Sequence, residues 1–123
     1  MFLAALCVLE SGLQANAKPT FTTFNPGGAY GTDASAINDS GTVAGSYGCT
    51  SLQDHGFVRS ANGGIATFDV PLSHSTDAED LNNNGLTTGK YEYHGIFVGF
   101  VRTPQPGNRP QFAVQKPDTP NPQ

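Results

Sequence analysis

The sequence predicts an all-β fold of two four-stranded antiparallel units, and three observations carry that expectation. Of 123 residues, 15 are glycine and 9 are proline, a density of breakers that helix interiors do not tolerate. Eight phenylalanines and four tyrosines fall mostly in short β-like runs, where large rings fill a pleated surface. The chain also repeats itself.

A shift of 44 residues places Phe24 on Phe68, Asp33 on Asp77, Asn38 on Asn82, Gly41 on Gly85, Gly45 on Gly89 and Tyr47 on Tyr91. Over residues 22–47 against 66–91, nine of 26 positions are identical, where chance gives about two. Dropping one residue in the second copy then aligns Gly56-Phe57-Val58-Arg59 with Gly99-Phe100-Val101-Arg102.

Each copy reads as four extended segments. The first is clearest at 65–70, where Ala66, Phe68 and Val70 alternate with Thr67 and Asp69 as a half-buried strand requires. The second ends at Ile37 or Leu81. Asn38-Asp39-Ser40-Gly41 and Asn82-Asn83-Asn84-Gly85 follow as turns, because Asn and Gly accept the positive φ of a tight hairpin. The third covers 43–47 and 86–91, and Gly45 and Gly89 inside it mark a bulge or a close backbone approach. The fourth is the Gly-Phe-Val-Arg segment.

Four strands in about 44 residues match one propeller blade. Two blades do not close a ring of about four to eight, so the expectation is a partial propeller of blade-like repeats, with a small β-sandwich as the alternative. The repeats span 18–103, about 21–60 and 65–103. Residues 104–123 form a proline-rich tail, in which Gln111-Phe112-Ala113-Val114 stands where a third copy would begin.

The strings His55-Gly56-Phe57-Val58-Arg59, Thr67-Phe68-Asp69-Val70-Pro71 and Ile37-Asn38-Asp39-Ser40-Gly41 with Gly45 resemble the HAF repeats of bacterial extracellular proteins, over roughly residues 20–102. The resemblance implies a bacterial, exported, propeller-like repeat protein without established catalytic residues. The chain departs from the pattern at Val98, where the motif has histidine, and at Leu72-Ser73, where it has glycine-alanine.

Residues 1–17 read as a signal peptide. The apolar run of residues 2–9 precedes Ala15-Asn16-Ala17, the small-x-small pattern of a cleavage site, which places the mature protein outside the cytoplasm, secreted, periplasmic or on the cell surface. A buried core strand is the other reading of that run, which is too short to span a bilayer. Cleavage removes Cys7 and leaves Cys49, read as an incidental loop thiol. A formal net charge of −4, with no cluster of lysine or arginine, argues against nucleic acid as a partner.

For chemistry, Asp80, Asn82 and Asn84 with Gly85 have the spacing that opens a calcium loop. The closing acid is missing, with Tyr91 at the twelfth position, and the first copy has Ala36 where the second has Asp80. A plain Asn-Gly hairpin accounts for both copies. Asp77, Glu79 and Asp80 cluster as an acid–base pair would require, but only Asp77 recurs, as Asp33, and a turn aspartate bonding nearby amides is the plainer reading. His55, His74 and His94 lack local metal spacing and read as surface residues.

The sequence therefore leads to a non-enzymatic exported β-repeat protein with a structural or binding role, without catalytic residues or cofactor. A calcium-stabilised carbohydrate-binding module of the cell envelope is the alternative, and a truncated propeller enzyme is a third. Two units leave β edges open, which predicts self-association.

Overall fold

A computed structural model of the chain describes residues 17–49 and 52–104. The signal-peptide run with Cys7, and the tail with its possible third repeat at 111–114, lie outside these residues. Among the described residues there is no helix, and seven strands form two antiparallel sheets. The first sheet joins β1 (Gly31–Ile37), β2 (Val43–Gly48), β3 (Asp54–Arg59) and β4 (Ile65–Phe68) in chain order. The second joins β5 (Ser75–Leu81), β6 (Thr87–Tyr93) and β7 (Ile96–Arg102). The sheets do not close into a barrel or a ring; they pack on each other in the two-layer manner of a small sandwich.

The second sheet has three strands, where four were expected in each unit. The first segment of the second copy, β4, hydrogen-bonds to β3, with Gly56 opposite Phe68 and Arg59 opposite Ile65. The second copy thus hands its first strand to the sheet of the first copy. Residues 21–24, the counterpart in the first copy, are not strand.

Elsewhere the copies agree in detail. Strands β1 and β5 begin and end at equivalent residues, and the register slips between Ala34 and Ala36 in one and between Ala78 and Asp80 in the other. That bulge explains the strand glycines, because a Cβ on Gly45 would lie 1.9 Å from the Asp33 carbonyl oxygen and one on Gly89 would lie 1.9 Å from that of Asp77. Any side chain there would collide with backbone.

The turns are also copies. Asn38 Oδ1 accepts from the amides of Ser40 and Thr42 at 3.1 and 3.0 Å, and Asn82 Oδ1 accepts from Asn84 and Leu86 at 3.0 and 2.9 Å. Gly41 and Gly85 close them at φ +77° and +81°, the left-handed region that glycine enters without steric cost.

The core lies between the sheets. Ala44, Phe68, Val70, Ala78, Leu81, Tyr91 and Phe100 are buried there, with Ala36, Val58, Tyr93 and Val98 around them. Burying each large side chain contributes roughly 1.5–3 kcal/mol. On the other face of the first sheet, Phe57 is fully buried beneath Phe24, whose ring meets it edge-on at 5.6 Å. Phe68 meets Phe100 in the same way at 6.0 Å, so the aligned phenylalanines make equivalent pairs. Phe24 is only half-buried, and among the described residues no preceding sheet covers it.

Candidate functional site

Three features gather polar chemistry: a cleft beside the seam between sheets, the stacked turns, and a cluster around His55.

A cleft of about 390 Å³ is lined by Tyr30, Asp33, Ser46, Tyr47, Asp54 and Asp77, among others. The repeat builds it, since Asp33 and Asp77 hold the same place in β1 and β5, and Ser46 on β2 lines it beside Asp77 across the seam. Burial, followed by the nearby Asp54 carboxylate, pushes the Asp77 pKa up, against the pull of Lys90 and Ser46. Asp33 and Asp77 therefore face the cleft instead of capping a local turn. Two phenol rings beside three carboxylates are the residue types that hold a sugar, the rings against its apolar face and the carboxylates accepting from its hydroxyls.

The turns meet across the sheets. Asn38 Nδ2 donates to the Asn82 carbonyl at 3.1 Å, the Asp39 amide donates to Asn83 Oδ1 at 2.9 Å, and Asn83 Nδ2 donates to Asp39 Oδ2 at 2.8 Å. Every one of these bonds joins residues 44 apart.

Of the candidate calcium ligands, Asp80 Oδ1 accepts from the Leu81 amide at 2.8 Å and Asn82 Oδ1 holds its own turn. Among the described residues no group of three or more His, Cys, Asp or Glu is arranged to hold a metal ion. Glu79 pairs with Lys90 at 3.0 Å, and the same lysine acts on Asp77, whereas Asp80 bonds the Leu81 amide.

The sequence reading missed the cluster around His55. Cys49 Sγ lies 3.1 Å from His55 Nε2, and His55 Nδ1 lies 2.7 Å from Asp69 Oδ1. Tyr47, opposite His55 on the neighbouring strand, stacks on the ring at 5.2 Å. Burial opposes the charged imidazole, but Asp69 and Cys49 outweigh it and hold the His55 pKa above the ordinary histidine value. Such spacing is that of a nucleophile, a base and its orienting acid. None of the three lines the cleft above or the one beside His74 and His94. What the trio does in the fold is tie the end of the β2–β3 hairpin to the loop after β4. The signal available in sequence was the His-Gly-Phe string facing Phe-Asp on a paired strand, legible only once the β3–β4 pairing is known.

His74 Nδ1 lies 3.4 Å from Gln53 Nε2 and His94 packs edge-on against Tyr93 at 4.3 Å, so the three histidines do not converge. No helix among the described residues is long and apolar enough to cross a membrane. No protein-family model, curated protein or solved structure matches the chain.

Proposed function

We propose that the chain is a non-enzymatic, exported β-repeat module with a structural or binding role, its sheets stacked as successive blades of an open, propeller-like array of the HAF-repeat kind. The observation that carries the reading is the set of three turn-to-turn hydrogen bonds between residues 44 apart. A contact that repeats with the sequence is how a repeat array propagates, each unit burying its neighbour's face. The His55 trio is structural in this reading.

A second reading, carbohydrate binding, is favoured by the cleft with Tyr30, Tyr47 and the aspartates. The test has two parts. Expressed from Met1 in a bacterium, the chain is expected outside the cytoplasm with Lys18 as its first residue by mass spectrometry. A glycan array then probes the cleft, with Tyr30→Ala as the control that lowers any saccharide signal. A cytoplasmic, unprocessed chain overturns export, and steady turnover of ester or peptide substrates that Cys49→Ser abolishes overturns the non-enzymatic reading.

A further inference from the structure

Inside the chain, β4 links the repeats: it completes the first sheet, its Phe68 crosses over Gly56, and the ring then packs edge-on against Phe100 of the second sheet. A Cβ on Gly56 would sit 2.5 Å from the Phe68 ring, so glycine is what admits the ring. Arg102 lies over the other side of Phe68 at 4.8 Å.

Both halves of this linkage recur at the ends of the described chain. The donor half is the segment before β1. Phe24 already makes its edge contact with Phe57, and Arg59 already lies over it at 5.1 Å. Phe24 is thus held against its own sheet as Phe68 is held against the second sheet. The acceptor half is β7. Among the described residues no strand pairs with its outer edge, and a Cβ on Gly99, the counterpart of Gly56, would meet only the Gly89 carbonyl oxygen, at 3.8 Å.

We propose that two copies of the chain bind head to tail, residues 21–24 of one copy adding to the outer edge of β7 in the other as β4 adds to β3. The register follows from the internal one: Phe24 faces Gly99, Thr23 faces Phe100, Thr22 faces Val101 and Phe21 faces Arg102. Main-chain hydrogen bonds supply the affinity of such strand addition, and the preset Phe24–Phe57–Arg59 stack lowers its ordering cost.

Two further features favour a second copy as the occupant. At the internal seam Ser46 lies beside Asp77 in the cleft; the same positions between copies are Lys90, which also pairs with Glu79, and Asp33, and the two carry opposite charges. Asp54, close enough to Asp77 to disfavour its ionisation, is replaced between copies by Phe97. The turns can also extend their ladder, Asn82 and Asn83 of one copy donating to Asn38 and Asp39 of the next. Ile37 and Phe97, 69% and 64% exposed, are apolar residues that this contact covers, as Leu81, the counterpart of Ile37, is covered at the internal seam. Because the two surfaces differ, the contact is head-to-tail and builds rings or open chains.

The proposal deepens the stacked-repeat reading and rests on it. Its test uses the full chain with Cys7 and Cys49 changed to Ser. Thr22→Cys and Val101→Cys, both at exposed positions, are placed on two preparations of different mass, mixed and oxidised. A disulfide-linked heterodimer is expected, together with a sedimentation mass that rises with concentration. Gly99→Val is expected to weaken that association about tenfold or more without changing the melting temperature, since its Cβ meets little in the single chain. The rival occupant is the chain's own segment at 109–112, outside the described residues. An intrachain disulfide between Val101→Cys and Pro110→Cys, with no heterodimer, overturns the proposal in favour of that segment. A monomer at every concentration with no cross-link overturns it as well. Export and glycan binding are read on separate samples, so a monomer that is exported and processed sinks this inference and leaves the module reading standing.

Discussion

At the scale of single residues, the copies differ most usefully where one is less well satisfied than the other. Thr87 is fully buried, and its hydroxyl has no hydrogen-bond partner among the described residues. Its counterpart in the first copy is Val43. A buried hydroxyl without a partner costs about 1–3 kcal/mol, so Thr87→Val, which keeps the shape, should stabilise the fold by about 1 kcal/mol or more, measured as a rise in urea midpoint at constant slope. His55 makes a second prediction. Its pKa is raised in the folded state, so the pairing with Asp69 is fully present below the ordinary value of about 6.5 and is lost as pH rises through the higher folded value. Melting temperature measured from pH 5 to 9 should fall over that window, and His55→Asn should remove that part of the fall. Asp77 acts in the same sense on the acid side: burial and Asp54 raise its pKa, so stability falls as pH rises and its carboxylate ionises, and protonation relieves that cost.

At the scale of the element, the turns and the bulge carry the account. Asp39 and Asn83 are exposed and bound to each other by two hydrogen bonds, so a double-mutant cycle of Asp39→Ala and Asn83→Ala should show a coupling of about 0.5–1.5 kcal/mol. Most of the strand pattern was legible in sequence, since Ile37 and Leu81 do end β1 and β5 and the Asn-Gly strings do make the turns. Gly45 and Gly89 announced the bulge by interrupting strands that otherwise favour side chains. The first segment of the second copy was misplaced for a physical reason. Periodicity reports which face of a strand is buried, whereas pairing partners are decided by contacts far apart in sequence, and β4 pairs backwards with β3. The same limit hid the His55 cluster, because Asp69 reaches His55 only through that pairing, whereas the cleft aspartates were visible as a repeat but not as neighbours.

At the scale of the whole molecule, a four-stranded and a three-stranded sheet pack on each other, joined by the Phe68–Phe100 contact and by the Asn turns. Small residues on the inner face of the first sheet, Ala44, Ser46 and Gly56, allow the approach. The most direct test of this arrangement is a nuclear Overhauser experiment on the isotope-labelled chain. The account predicts cross-peaks between the Phe68 and Phe100 rings, and between the Asp39 amide and the Asn83 side chain. Cross-peaks confined to strands within each sheet, with none linking residues 39 and 83 or 68 and 100, would contradict it.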